Sequence, residues 1–589
     1  MSIFKQTIQS MRMHLSAKQK KEMVWLAVLI FIQGVLDVFG LGLIIPVINI
    51  ASSPEVITQN KFHLGDIYQF FHFTSTNNFI LFILFAVLGF YIAKTAFGLF
   101  VYWVSAKFAT EVAVHITQHQ YDKYYAVSYL DFTNIKSSVI TNHVFNNPAS
   151  YLAWVVNPAI IIFSEIVIVT LIVVAIVWVD ITLFACIVAV IGPATFMIYY
   201  ALKNKSALYG VELDKVIPKV YASLNASVNG YIDVKLAGKE TDFRSQYMHH
   251  IRKYHDIGQK ANFIGLVPLR AYEIVALLSI VVIFVYVLFI TAKDASTAVV
   301  LVGAFAAAAY RLMPSMNRIV GNLMYIRRSQ STINNLNYYA NHIPGNASKP
   351  VDGLIAFDKT IVFDKICYRF PDSDKYVLHN ITFEVNKGEK IGFVGASGSG
   401  KTTLMNILLR FITEGSGQIL IDNTPLTEAH LLNWRKLIGY VKQDIFIMDG
   451  TIKENIAFGE TEVDDRRLMR AISQASLSDL VRSLPDGVNS VVGEKGSRLS
   501  GGQRQRIGIA RALYRDAQIL VFDEATSALD NQTEAEVTEA IDKLSDTNKT
   551  IFVIAHRITT LKNCNRIYEL QHGSIAHIHS YADLVERLV

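Results

Sequence analysis

The chain has 589 residues, a mean hydropathy of +0.32 and only 18% charged residues, against about 25% in soluble globular chains, so a wholly soluble protein is excluded. The net charge of +6 comes largely from basic residues beside apolar stretches and is no argument for nucleic acid. Cys186, Cys367 and Cys564 have no metal-ligand spacing. They imply neither a disulfide framework nor a zinc site, in keeping with a reducing cytosol for the C-terminal part.

The leader carries Lys5, Arg12, Lys18, Lys20 and Lys21. Residues 1–22 are expected to form an interfacial helix. The apolar run that follows is too long for a signal peptide and reads as a retained first span. Six stretches are long enough to cross about 30 Å of hydrocarbon: residues 23–50, 78–104, 151–179, 181–201, 262–290 and 296–324. The third and fourth are separated only by Asp180. Lys-rich segments follow spans two and four, which places both termini in the cytoplasm. The connections 105–150 and 202–260 read as long helical extensions, expected to meet the soluble part near residues 131–146 and 222–235. The connection 51–77 is long, and Leu64, Ile67, Tyr68 and Phe71 give it a short amphipathic helix. That helix is either a cap packed on neighbouring spans or a surface that meets a lipid chain.

Polar residues interrupt the spans at Gln33, Asp37, Lys94, Glu165, Arg270, Glu273, Arg311 and Arg318. Such residues are costly in lipid and face a bundle interior or a wet cavity. Arg311 falls near the midplane, Lys94 and Arg270 in the cytoplasmic half, and Arg318 nearer the inner boundary. Arg311 and Arg318 share a helix face, with Pro314 between them. One reading pairs these cations with Asp37, Glu165 or Glu273, Arg270 and Glu273 being close enough on one helix. The other makes Lys94, Arg270, Arg311 and Arg318 an inward-opening basic cavity for an anionic substrate such as a phosphate-bearing lipid head group.

Charged residues recover after about Pro350. A buried-strand pattern ending at Val394 runs into Gly395, Ala396, Ser397, Gly398, Ser399, Gly400, Lys401, Thr402 and Thr403, followed by a helical pattern. This is a phosphate loop in its required setting. Its glycines let backbone N–H groups wrap phosphates, Lys401 reaches the terminal phosphates and Thr402 binds Mg²⁺. A second buried strand, 519–523, ends in Asp523, placed to hold the Mg²⁺ shell. Glu524 follows, placed to polarise an attacking water.

With Leu499, Ser500, Gly501, Gly502 and Gln503 between the two, the sequence resembles the ATP-binding cassette (ABC) family, exporter type. The resemblance covers essentially the whole chain. It implies an all-α six-helix transmembrane domain (23–327), a linker (328–354) and an α/β P-loop domain with a helical subdomain (355–589). It also implies that Gln443 contacts Mg²⁺, that Leu499 to Gln503 are the signature sequence with Glu494 and Gly496 before it, that 527–530 are the D-loop, and that His556 contacts the γ-phosphate. Phe370, before Pro371, takes the adenine-stacking position, with Tyr368 or Tyr376 as substitutes. Further implications are ATP and Mg²⁺ as substrate and cofactor, and a homodimer in which each ATP lies between one chain's phosphate loop and the other's signature. Residues 309–318 look like the sixth span of PglK-type flippases of lipid-linked oligosaccharides, which suggests a polyprenyl-pyrophosphate glycan as cargo in a bacterial inner membrane. A lipid A-like glycolipid, peptides, drugs or a transport-free regulatory ATPase are the alternatives.

Overall fold

The computed structural model describes residues 3–52, 64–73, 75–135, 137–179, 181–289, 295–342, 353–371, 373–525, 531–545, 548–555 and 557–587. It divides into two units, one of Met1–Val127 and Thr133–Gly345, the other of Ser128–Phe132 and Asn346–Val589.

The first unit is helical: α1 (Ile3–His14), α2 (Ala17–Ser52), α3 (Leu64–Phe70), α4 (Thr76–Ala126), α5 (Asn157–Val179), α6 (Ile181–Asn229), α7 (Glu240–Phe289), α8 (Ala295–Arg328) and α9 (Gln330–His342). Among the described residues, four helical stretches are long and apolar enough to cross a membrane: Ala17–Gly40, Thr76–Ala126, Val139–Trp178 and Glu240–Val282. The other two expected spans coincide with α6 and α8, parts of which are outside the described side chains; Asp180 itself lies outside the described residues. Lipid offers the backbone no partners, so the chain satisfies its amides internally as helices. Between Ser137 and α5 the helix carries two π-turns, Asn142–Asn146 and Leu152–Val156, which re-aim the side chains around them.

Polar contacts seat the amphipathic α1. The Ser10 hydroxyl donates to Asn337 Oδ1 at 3.1 Å, the Gln6 amide to Asn334 Oδ1 at 2.9 Å, and the buried Tyr151 hydroxyl to Ser10 Oγ at 3.1 Å. In the connection after α2, Tyr68 meets Phe79 at 5.1 Å between centroids and Phe71 meets Phe82 at 4.9 Å. The helix α3 therefore caps the start of α4, while Phe70 points away at 78% exposure.

The second unit holds two sheets. Strands β1 (Thr360–Tyr368), β2 (Leu378–Asn386), β4 (Ser416–Ile421) and β5 (Thr424–Pro425) form an antiparallel sheet in the order β2-β1-β4-β5. Strands β3 (Lys390–Val394), β6 (Ile438–Val441), β7 (Ile519–Asp523), β8 (Thr550–Ile554), β9 (Arg566–Gln571) and β10 (Ser574–His579) form the other, ordered β10-β9-β3-β8-β7-β6. The central strands are parallel and buried on both faces, as crossover helices require. Tyr129, from Ser128–Phe132, stacks on Phe411 at 5.1 Å.

Between the sheets lies a core of Phe363, Phe383, Phe393 and Trp434; a second core, with Leu468, Ile472 and Ile507, fills the helical subdomain. Trp434 is fully buried and its indole N–H donates to the Leu408 carbonyl at 2.7 Å. Trp434→Ala leaves a cavity and an unpaired carbonyl, and should destabilise this unit by about 3–5 kcal/mol. The check is a lower thermal unfolding midpoint of the purified chain; an unchanged midpoint would show that Trp434 is not holding the core.

Candidate functional site: a phosphate loop and a charged membrane interior

In open parallel sheets, ligands bind beyond the carboxyl ends of the strands. The buried run of β3 delivers the chain to that edge at Val394, and α10 (Lys401–Leu408) leads away from it. The loop between them bends through left-handed backbone at Gly395 (φ +146°) and Gly400 (φ +101°). A Cβ at Gly395 would come 2.3 Å from the Leu570 carbonyl oxygen, and one at Gly400 2.7 Å from Leu378 Cδ2. Any side chain at either position would open the loop. Lys401 folds back over this turn, its ammonium donating to the carbonyls of Gly395 (2.8 Å) and Ala396 (3.0 Å). Burial pushes the lysine pKa down, with Glu524 and Asp523 acting against it. Ser399 is buried beneath the loop, while Ser397, Gly398 and Thr402 are exposed and Thr403 is half-buried.

One crossover away, β7 carries Asp523 to the same edge. Glu524 follows in a left-handed conformation (φ 53°), which turns it sharply out of the strand. The Tyr440 hydroxyl donates to Asp523 Oδ2 at 2.9 Å. Burial raises the Asp523 pKa, and the Tyr440 bond and the charges of Lys442 and Lys401 oppose the rise.

Ser500 caps α11 (Gly501–Tyr514): its hydroxyl accepts from the Gln503 N–H at 3.2 Å, and Gln503 Oε1 accepts from the Ser500 N–H at 2.9 Å. This capping box fixes a helix N-terminus, the natural seat of a phosphate, at the signature residues. In α11, Gln505 donates from its amide to the carbonyls of Lys442 and Gln443, which holds the Gln443 loop while the Gln443 side chain is exposed. Tyr440 and Gln505 escaped the sequence reading because neither belongs to a motif. The only available signal was a polar residue in a strand and a second glutamine two residues after the signature. Phe370 is exposed and packs edge-on to Tyr368 at 5.3 Å, whereas Tyr368 is buried in the sheet; Tyr376 is also exposed. Residues 527–530 and His556 lie outside the described residues.

The residues present fit Mg²⁺. No cluster of three or more His, Cys, Asp or Glu able to hold a metal occurs among the described residues. A hydroxyl (Thr402), an amide (Gln443) and one carboxylate (Asp523) suit an ion that takes most of its ligands from phosphates and water.

In the helical unit the charges sit in pairs. Asp37 on α2 bridges two cations, Oδ1 to Lys94 Nζ of α4 at 2.7 Å and Oδ2 to Arg311 Nη2 of α8 at 3.1 Å. Glu165 of α5 is buried and takes Arg318 Nη1 of α8 on Oε1 at 2.7 Å; its Oε2 has no partner. Arg270 pairs with Glu273 at 2.8 Å, and both are largely exposed. The pairing foreseen from sequence is therefore present for all four cations. Three of them share two carboxylates, which leaves one positive charge in excess. Glu165, Arg318, Gln33, Ser105 and Asn322 line a cavity of about 530 Å³.

Together these observations define a bundle of membrane-length helices joined to a P-loop nucleotide-binding domain. Residues 23–315 match the family described as ABC transporter transmembrane region, and residues 378–527 that described as ABC transporter. The chain is 32% identical to an ATP-dependent lipid A-core flippase of Saccharophagus degradans over 69% of its own length and 67% of the relative's. It is 42% identical to one of Ralstonia nicotianae over 41% of each, so it spans about two fifths of the length of that relative. The structure of a bacterial Atm1-family ABC exporter with ATP bound has the same fold, with a TM-score of 0.78 at 22% identity, covering 98% of this chain and 97% of that one. The chain belongs to the ABC transporter family.

The paired charges make a graded expectation. Asp37→Ala strands two largely covered cations and should cost about 3–5 kcal/mol, whereas Asp242→Ala breaks the exposed pair with Lys239 outside the apolar spans, worth at most about 1 kcal/mol. Thermal unfolding in nanodiscs checks this: equal losses from the two variants would refute the bridging role of Asp37.

Proposed function

We propose that the chain is an ATP-driven exporter that flips an anionic glycolipid from the inner to the outer leaflet of a bacterial inner membrane, working as a homodimer. The observation that carries the ATPase reading is the buried strand, glycine turn and helix that hold Lys401 at the sheet edge beside Asp523 and Glu524. Lys401 exchanges its two loop carbonyls for phosphate oxygens, a trade favoured by its burial, because an anion restores the charge that desolvation disfavours. Thr402, Gln443 and Asp523 would hold Mg²⁺, which would offset the phosphate charge when bound. Glu524 orients and polarises water, and His556 contacts the γ-phosphate. Phe370 stacks on adenine. Ser500 to Gln503 offer a capped helix N-terminus to the ATP held by the partner's loop. Because a single chain holds one loop and one signature, a symmetric dimer has two complete sites. Both termini and the cassette lie in the cytoplasm.

For the cargo, the support is the charged interior. A phosphate-bearing head group cannot cross hydrocarbon bare. Lys94, Arg311 and Arg318 share the two carboxylates of Asp37 and Glu165, and the one positive charge left in excess supports phosphate binding without stranding either carboxylate. Arg270, exposed and paired on its own helix, is a weaker candidate. Two glycolipids fit. The lipid A-core flippases among the relatives favour a lipid A type, whereas residues 309–318 and the helix-bearing connection 51–77 favour a polyprenyl-pyrophosphate glycan.

Glu524→Gln should lower ATP hydrolysis in nanodiscs by at least about a hundredfold while a fluorescent ATP analogue still binds; hydrolysis near the wild-type rate would remove Glu524 from its role. Each glycolipid should then be added to wild type and to Arg311→Ala/Arg318→Ala. Stimulation by one lipid, lost in the double variant, identifies the cargo. A rate indifferent to both lipids and to the substitutions overturns the glycolipid reading and leaves peptide, drug or regulatory roles.

A further inference from the structure

A cavity of about 610 Å³ lies in the helical unit among the Asn142–Asn146 π-turn, the short helix after it, α6, α7 and α9. Lysine and arginine are missing from its described lining. Two buried polar atoms there lack partners. Asn147 is 6% exposed; its Oδ1 accepts from the Asn142 amide at 3.5 Å, and its Nδ2 donates to nothing. Asp214, on the part of α6 beyond the apolar span, has an Oδ2 with no donor. The next-turn residue on that helix is Pro218, which also lines the cavity. Having no N–H, Pro218 withdraws the intrahelical bond from the Asp214 carbonyl. Asp214 Oδ2 is thus a buried acceptor at the cavity wall, and burial pushes its carboxyl up to about 6.

A buried donor and a buried acceptor each cost stability while unmade, and the π-turn that brings Asn142, His143 and Asn146 to the cavity is the kind of distortion found at functional sites. The set is wrong for an anion, since no described cation lines it. It is also wrong for a hard divalent ion, which takes six or more oxygens and usually several carboxylates. Tyr221 and Tyr254 add aromatic walls, which suit an organic cation. We propose that this cavity binds a small ammonium compound that also carries an oxygen acceptor, of the amino-alcohol or amino-acid kind, with the ammonium on Asp214 and the oxygen on Asn147. The site is separate from the phosphate loop and from the Asp37 and Glu165 pairs, so it stands whether or not the glycolipid reading does.

The test is calorimetric titration of the full-length protein in nanodiscs with ethanolamine and with glycine, alongside propylamine, acetate and KCl. Saturable binding of ethanolamine or glycine is expected. Asp214→Asn should weaken it at least about tenfold, the scale of a lost bond to a charged group, and Asn147→Leu should erase the preference for ethanolamine over propylamine. Thermal midpoints report whether each variant folds; if Asp214→Asn does not, Asn147→Leu decides alone. The proposal is overturned by an absence of saturable amine binding, by binding that neither variant alters, or by KCl alone reproducing the heat, which would make the cavity a wet crevice or an inorganic-cation site.

Discussion

A charge inside hydrocarbon must be compensated where it stands, and that requirement organises the helical unit. Asp37 is the central case. One carboxylate on α2 serves Lys94 of α4 and Arg311 of α8, and Glu165 ties α5 to the same α8 through Arg318. Apolar packing alone gives helices in lipid little reason to prefer one azimuth over another, because lipid tails are as apolar as leucine. The ion pairs supply that preference. Together with the packed Leu312, Met313, Val320 and Met324, they set which face of α8 turns inward, and with it the placement of the Arg311 and Arg318 row.

The cassette solves a related problem in the opposite way. Its reactive charges are held by neutral partners: Lys401 by two main-chain carbonyls, and Asp523 by the Tyr440 hydroxyl. Dipoles orient a charge without cancelling it. A lysine locked to a buried carboxylate would resist an incoming phosphate, since breaking such a pair strands its partner. One held on carbonyls exchanges them readily. The same contrast explains why Gln505 holds the Gln443 loop by its backbone, leaving the Gln443 side chain exposed.

Local chemistry was legible in the sequence. The glycine turn, Lys401, and the strand ending in Asp523 and Glu524 are contiguous patterns whose geometry follows from the backbone. The Arg270–Glu273 pair follows from helix periodicity. The carboxylates of the spans could be named as partners, but their assignment could not. Asp37 lies 274 positions from Arg311, and only tertiary packing decides that one carboxylate serves two cations. Tyr440 and Gln505 were silent for the same reason. The π-turn at Asn142–Asn146 and the withdrawn bond at Asp214 were harder still, because periodicity arguments assume regular helix. Cargo was the least legible: residues 309–318 pointed towards oligosaccharide lipids, and the relatives carry the name of lipid A-core flippases.

The two ion-pair groups are unequal, and the inequality has a direction. Asp37, Lys94 and Arg311 are all at least three-quarters covered, whereas the Arg318 side chain is 54% exposed. Arg318, which also lines the cavity of about 530 Å³, is the less covered of the two arginines and the more open to a ligand there. Freeing it leaves Glu165 buried, with Oε2 already lacking a donor, so a ligand that takes the arginine must also bring a donor for the carboxylate. A fully ionised phosphate has no hydrogen to donate and cannot do both. A phosphorylated sugar can, by pairing phosphate with Arg318 and a hydroxyl with Glu165. Under the glycolipid reading proposed above, a head group carrying both chemistries would engage Arg318 more readily than the better-covered Arg311.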